Sequence, residues 1–158
     1  MNIIAIQYTL EHRSFDIYIA GCNGGYDGHC AGCHNPESWD FNQGALFDDD
    51  MFNEWENRIH RFPALIENIM IFGGEPLDQP IDEFLDMLEK LSITERKIWL
   101  FTRFNFDDID DRVKNLCDYI KCGKYIESLV VDNNIQHGIK LATRNQKIYK
   151  KSGAGKWA

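Results

Sequence analysis

Near the middle of the chain lies the sequence Ile69-Met70-Ile71-Phe72-Gly73-Gly74-Glu75-Pro76, a short apolar run that ends in two glycines. A continuous apolar run is typical of a strand that is covered on both faces, as in parallel sheets. The run Ile98-Trp99-Leu100-Phe101 repeats the pattern. Between the two runs, after Pro80, apolar residues recur at helical spacing, namely Ile81, Phe84, Leu85, Leu88 and Leu91. This order predicts a strand–helix–strand unit with a right-handed crossover.

The same alternation extends toward both ends of the chain. Ile3–Tyr8 and Phe15–Ala20 predict a hairpin whose second strand enters the sheet. The next predicted helix is marked by apolar residues at helical spacing, namely Met51, Phe52, Trp55, Ile59 and Phe62. Further along, Asp107 or Asp108 is predicted to cap a third helix that carries Ile109, Val113 and Leu116. Cys117–Lys121 is predicted as a fourth inner strand.

The length of the chain limits the architecture. Its 158 residues predict a single domain, residues 1–158. A complete eight-fold barrel typically takes about 250 residues. We therefore expect an α/β fold in which a mostly parallel sheet forms an open partial (β/α) barrel. The segments Ile139–Leu141 and Lys147–Tyr149 receive no assigned element.

Charge and hydropathy exclude several classes of partner. The net charge is −8, and the only basic cluster lies near Lys147, Lys150 and Lys151, so nucleic acid is not an expected partner. No apolar run approaches the roughly 20 residues that span a bilayer. The N-terminal residues show no signal-peptide pattern. The expectation is a cytoplasmic protein that does not bind a membrane.

Three of the five cysteines, Cys22, Cys30 and Cys33, are spaced Cys-x7-Cys-x2-Cys in a glycine-rich segment. One interpretation is a thioredoxin-like redox pair, which leaves Cys22 unused and lacks the helix that should follow the pair. A second is structural zinc with His29 or His34 as the fourth ligand. A third is a 4Fe–4S cluster held by three thiolates, which leaves one iron open for a ligand.

Three segments that are distant in sequence are predicted to meet at one edge of the sheet. The cysteine segment, Gly73–Pro76 and Thr102-Arg103 each follow the C-terminal end of a predicted strand. In parallel sheets these ends share the edge at which ligands bind. The sequence therefore predicts a single site there.

Together these motifs resemble the radical S-adenosylmethionine superfamily, whose Gly-Gly-Glu-Pro element is similar to residues 73–76. Within it, the activating proteins of anaerobic ribonucleotide reductases are the nearest match. Their segments resemble Ala31–Trp39, Trp99–Thr102, Asp118–Tyr125 and Leu141–Ile148. The resemblance covers roughly Phe15 to Tyr149. The chain departs from it in its first cysteine spacing, which is three residues in the family and seven here, and this puts the contacts of Asn23–His29 in question.

The resemblance implies a role for each matching residue. Cys22, Cys30 and Cys33 would ligate the 4Fe–4S cluster. The residues that would contact S-adenosylmethionine are Gly32, Cys33 and His34 near its adenine, Gly73, Gly74 and Glu75 at its methionyl amine, and Thr102. Cys117 and Cys122 are interpreted as packing thiols. No acid–base pair or nucleophile is expected, because the cofactor carries the chemistry.

The activity that the resemblance implies is reductive cleavage of S-adenosylmethionine to a 5′-deoxyadenosyl radical. That radical would install a glycyl radical on an anaerobic ribonucleotide reductase, with a flavodoxin-like protein as electron donor. Two alternatives remain open at this stage. One is a radical enzyme that acts on a peptide or a deazapurine-type small molecule. The other is a non-catalytic zinc or electron-transfer module, which would not need the Gly-Gly-Glu-Pro element.

Overall fold

The structure, a computed structural model, describes residues 1–153 and 155–158. Its first half contains β1 (Asn2–Thr9), β2 (Ser14–Ile19), β3 (Ala45–Leu46), α1 (Asp49–Arg61) and β4 (Asn68–Gly73). Its second half contains α2 (Ile81–Ser92), β5 (Lys97–Phe101), α3 (Asp111–Leu116), β6 (Tyr119–Cys122), β7 (Ile135–Gln136), β8 (Ile139–Lys140) and β9 (Lys147–Lys150). None of the helices in this part of the chain has the length and apolar character needed to cross a membrane.

Seven of the strands form one sheet in the order β3-β1-β2-β4-β5-β6-β9. The central strands β2, β4, β5 and β6 are parallel to one another. Toward the two edges the pairings are antiparallel, between β2 and β1, between β1 and β3, and between β6 and β9. The prediction of an α/β fold around parallel inner strands is confirmed. The sheet is mixed as a whole, and the described strands do not close it, so the pairings do not confirm a barrel.

Both faces of the central strands are covered, which explains their continuous apolar runs. The main core contains inward-facing side chains of the sheet and of all three helices, among them Phe15, Ile71, Trp55, Leu88 and Val113. A smaller cluster covers the opposite face and contains Met70, Trp99, Tyr119, Leu141 and Ile148. The indole of Trp99 stacks on the Tyr119 ring at 3.7 Å between centroids. The C-terminal segments therefore complete the second face of the sheet.

Three predicted boundaries were wrong. Helix α3 is capped by Asp110, whose side chain accepts a bond from the Arg112 amide, and not by Asp107 or Asp108. Those two aspartates lie in a separate single turn, Phe106–Asp108, that precedes the helix. Strand β6 begins at Tyr119, because Cys117 still donates its amide to Lys114 at the end of α3. Helix α1 ends at Arg61, which leaves Phe62 half-exposed beyond it.

Candidate functional site

The predicted convergence of three segments is confirmed by a single pocket of about 220 Å³ at the C-terminal edge of the parallel strands. Cys22, Cys30 and Cys33 are among the residues that line it. Residues at the ends of β4, β5 and β6 form much of the remaining lining, among them Phe72, Gly73, Gly74, Glu75, Phe101, Thr102, Arg103 and Lys121. Gly32 and His34 are exposed and lie outside the lining, although both were predicted to contact a ligand.

The cysteines fall into two groups with different environments. The thiols of Cys22, Cys30 and Cys33 are partly exposed and free of disulfides. Cys117 and Cys122 are buried in the core, where desolvation raises the pKa of Cys122 to about 12 and that of Cys117 higher still. Thiolates bind iron, and burial disfavours the thiolate. The pocket cysteines are therefore the ones suited to hold a metal cluster.

The donor set of the pocket fits an iron–sulfur cluster. Within residues 1–153 and 155–158, no three His, Cys, Asp or Glu side chains are arranged to hold one metal ion. A cluster makes a different demand, because each thiolate binds a separate iron and the sulfurs need not converge on one point. Three partly exposed thiols that line one pocket meet that demand. His29 is already engaged, since its Nε2 lies 2.8 Å from the Cys22 carbonyl oxygen and its ring stacks on Trp39.

Gly73 and Gly74 allow strand β4 to end directly against the cysteine segment. The Gly74 amide donates to the Ile19 carbonyl and the Glu75 amide to the Gly21 carbonyl, both at 2.8 Å. A Cβ at Gly74 would meet the Gly21 backbone, and it would lie 2.6 Å from the Ser38 carbonyl oxygen. A side chain has no space there, so the glycine is required for backbone packing as well as for access to the pocket.

The Glu75 carboxylate is buried, with 2% of the residue exposed, and both of its oxygens accept bonds from the chain. Oε1 accepts from the Thr102 hydroxyl at 2.5 Å and from the Leu77 amide at 3.1 Å. Oε2 accepts from the Arg103 amide at 2.8 Å. Burial raises the pKa of Glu75, and these donors oppose that shift by favouring the ionised form. Glu75 and Thr102 thus tie the end of β4 to the end of β5.

Lys121 is a pocket residue that the sequence analysis missed. It stands on β6 opposite Phe101 of β5, and its Nζ donates to the Gly123 carbonyl at 2.8 Å. Among the described residues, no carboxylate forms an ion pair with it. An ammonium has three donors, so the pocket holds a cation with spare donors. Desolvation lowers its pKa to about 8. A single lysine in the apolar run Tyr119–Cys122 was the available signal.

Comparison with known proteins identifies an iron–sulfur family and several similar proteins. The model of the family "4Fe-4S single cluster domain" matches residues 13–149. A Haemophilus influenzae protein named anaerobic ribonucleoside-triphosphate reductase-activating protein is 28% identical over 139 residues, which cover 79% of this chain and 87% of that protein. Proteins of the same name from Enterobacteria phage T4 and Escherichia coli K12 are 28% and 24% identical over 117 and 119 residues. These matches cover 72% of this chain and 71% and 75% of the two relatives.

Proposed function

This chain belongs to the 4Fe–4S single cluster domain family, and from that premise we propose that it is a radical S-adenosylmethionine enzyme that activates an anaerobic ribonucleotide reductase. The observation that carries the proposal is the shared pocket, which is lined by three free cysteines, by Gly73 and Gly74, and by Lys121, for which the described residues supply no ion-pair partner. The names of the relatives supply the identity of the partner. The five unpaired cysteines fit a reducing cytoplasm.

Cys22, Cys30 and Cys33 would hold the cluster as thiolates, with one iron left open for the amine and carboxylate of S-adenosylmethionine. When bound, the cluster supplies the electron that reductively cleaves the sulfonium and so yields a 5′-deoxyadenosyl radical. The chain itself binds the reactants, orients them and excludes water from the reacting atoms. No side chain of the pocket is required as an acid, a base or a nucleophile.

The polar groups of the pocket suit a methionyl moiety. Lys121 presents an ammonium whose spare donors match a carboxylate, and a partly buried cation is stabilised by an anionic partner. In the described chain the Gly74 carbonyl accepts no hydrogen bond, so it is available to a ligand amine. Glu75 acts indirectly, because its oxygens are committed to Thr102, Leu77 and Arg103. Gly32 and His34 would contact the adenine from outside the pocket lining, through backbone atoms.

The remaining reactants are proteins, which requires a site that is open to the surface. The glycyl radical would form by transfer of a hydrogen atom from an α carbon of the reductase to the 5′-deoxyadenosyl radical. The electron would come from a flavodoxin-like donor. Phe72 and Phe101, whose rings lie 4.3 Å apart, supply an apolar wall that limits water in the pocket.

Anaerobic reconstitution tests the proposal. The protein should take up about four irons and four sulfides per chain, as expected for one 4Fe–4S cluster. Reduced with dithionite, it should convert S-adenosylmethionine to methionine and 5′-deoxyadenosine. Cys22→Ala, Cys30→Ala and Cys33→Ala should each abolish cleavage. Tight stoichiometric zinc without sulfide would instead identify a zinc module. If the protein cleaves S-adenosylmethionine and modifies a peptide or a small molecule, but activates no reductase, it is a different radical enzyme.

A further inference from the structure

The segment Asn23–His29, which separates the first two cysteines, is fixed to the ends of two strands by side chains from elsewhere in the chain. The Asn23 amide donates to Asp78 Oδ2 at 2.8 Å. Arg103 Nη2 donates to Asn23 Oδ1 at 2.9 Å and to Asp78 Oδ1 at 2.8 Å. Asp78 belongs to the turn after β4, and Arg103 follows β5. Asn23, Asp78 and Arg103 therefore join three distant segments beside Cys22.

Burial makes the Arg103–Asp78 pair the dominant attachment. The Asp78 side chain is 3% exposed and that of Arg103 is 17% exposed. Hydrogen bonds between buried charged groups are strong, and removal of one partner leaves the other charge uncompensated. A second attachment joins Lys124 to Asp27 at 2.6 Å, but there the Asp27 side chain is 71% exposed. Exposed ion pairs of that kind contribute little.

The guanidinium also packs directly on the backbone of the segment. A Cβ at Gly25 would lie 2.7 Å from Arg103 Nη1, and the residue has a φ of +74°, so glycine suits this position both by space and by backbone conformation. The Gly25 amide donates to Asn23 Oδ1 at 2.8 Å, which is the same oxygen that Arg103 contacts. The turn that starts at Asn23 and the position of Arg103 therefore depend on each other.

Both backbone groups of Cys22 are engaged in hydrogen bonds. Its amide donates to the Trp39 carbonyl at 3.2 Å, and its carbonyl oxygen lies 2.8 Å from His29 Nε2. The next residue along the chain is Asn23, which Asp78 and Arg103 hold. The inserted residues themselves lie outside the pocket, whereas Cys22 and Arg103 line it. The added length thus leaves all three cysteines in the lining of one pocket without adding residues to that lining.

We propose that Arg103 and Asp78 are positioning residues that clamp the seven-residue cysteine spacing and so place Cys22 for cluster binding. This inference rests on the proposed function only in that the ligand of Cys22 is taken to be the iron–sulfur cluster. Neither residue touches the reacting atoms through this contact. The clamp acts on the ligand loop before any cluster is bound.

Hydrogen exchange of the cluster-free protein, measured amide by amide, tests the clamp. The Asn23 and Gly25 amides should be protected in the unmodified chain, because the first donates to Asp78 and the second to the Asn23 side chain that Arg103 holds. Arg103→Met should lower their protection by about tenfold or more, since the buried Asp78 loses its counter-ion. Amides of β4 and β5 should stay protected. The control is Arg112→Met, which removes an exposed arginine with an equivalent 2.8 Å contact to Asp110.

Iron content after identical anaerobic reconstitution is the second measurement. Arg103→Met and Asp78→Asn should bind less than half as much iron and sulfide as the unmodified chain and as Arg112→Met. Arg103→Lys should recover part of the amide protection and part of the iron content, because lysine retains the charge but lacks the planar arrangement of donors of a guanidinium. If Arg103→Met fails to fold, Arg103→Lys and Asp78→Asn replace it, and both should lower amide protection and iron content relative to the unmodified chain.

The outcomes separate the clamp from the proposed function. Unchanged protection of Asn23 and Gly25 in the variants would overturn the clamp. Lost protection with full iron content and an unaltered cluster spectrum would overturn its positioning role. An unmodified chain that binds no cluster, yet shows protected Asn23 and Gly25 amides that Arg103→Met exposes, would overturn the proposed function and leave the clamp established.

Discussion

The Thr102 hydroxyl donates a 2.5 Å hydrogen bond to the buried Glu75 carboxylate and so joins the ends of β4 and β5 in the lining of the candidate site. The same hydroxyl accepts a bond from the Phe104 amide at 3.1 Å. The strand ends that form the pocket are therefore held by side chains as well as by the sheet. Because the Glu75 carboxylate is buried, the loss of any one of its hydrogen-bond donors would leave a desolvated charge less well compensated.

Thr102→Val should lower the free energy of unfolding by about 1–3 kcal/mol, because it leaves a buried carboxylate oxygen short of a donor. Thr94→Val is the matched control. Thr94 is also buried, but its hydroxyl donates only to the uncharged Leu91 carbonyl. That change should lower the free energy of unfolding by about 1 kcal/mol. Denaturant unfolding of the cluster-free proteins measures both values, and equal losses would mean that the Thr102–Glu75 bond has no special weight.

Gly74→Ala should disturb the cysteine segment as well as ligand binding. The new Cβ would overlap the backbone of Gly21 and Ser38, neither of which is a flexible side chain. Overpacking of this kind lowers the free energy of unfolding by about 1–3 kcal/mol. Iron uptake should fall together with affinity for S-adenosylmethionine. Gly153→Ala, where a Cβ would meet nothing within 4 Å, is the control and should behave like the unmodified chain. Normal iron content in Gly74→Ala would show that the segment tolerates the added atom.

Lys121 should make binding of S-adenosylmethionine sensitive to pH. Burial lowers its pKa to about 8, so the cation that attracts a carboxylate is present below that pH and is lost as the pH rises through it. Affinity should therefore decline above about pH 8. Lys121→Arg should retain affinity there, because a guanidinium stays protonated.

A ligand comparison checks the same contact at constant pH. Lys121→Met should weaken S-adenosylmethionine binding about tenfold or more, as expected for one charge-assisted hydrogen bond. Binding of the decarboxylated analogue should change little. Calorimetric titration of the anaerobic protein measures both ligands. Equal losses for the two would assign Lys121 a role other than contact with the carboxylate.

Cys117→Ala and Cys122→Ala should retain a full cluster, since both thiols are buried in the core and neither residue lines the pocket. Each change removes only one buried sulfur, so the loss of stability should be modest. Iron and sulfide analysis beside Cys33→Ala, which should lose the cluster, checks this assignment. Loss of iron from either core variant would place that thiol among the ligands.

The central sheet was predictable because its strands are buried on both faces and carry unbroken apolar runs, as Ile69–Phe72 shows. The C-terminal strands could not be predicted, because they are short and mostly exposed or half-exposed and carry no unbroken apolar run. Strand β9 pairs at the edge of the sheet, and of its four residues only Ile148 is buried. The start of α3 was also missed, because four aspartates between residues 107 and 111 offered several equivalent caps.

The position of the candidate site was predictable from topology, because parallel strand ends must share an edge. Its side-chain connections were not. Arg103 and Asn23 lie 80 residues apart, and nothing in their local sequences indicates that they meet. Likewise, the sequence did not indicate that the Glu75 oxygens accept hydrogen bonds from Thr102, Leu77 and Arg103. Such pairings depend on the final packing of strand ends and turns.

The proposed activity is tested most directly by electron paramagnetic resonance of the anaerobic reductase after incubation with the reduced protein and S-adenosylmethionine. We predict a glycyl radical, seen as a doublet split by the remaining α hydrogen. The signal should disappear when the radical glycine of the reductase is changed to alanine, and when Cys22→Ala replaces the unmodified protein. If S-adenosylmethionine is cleaved but no cognate reductase acquires this signal, the account of an activating enzyme is contradicted.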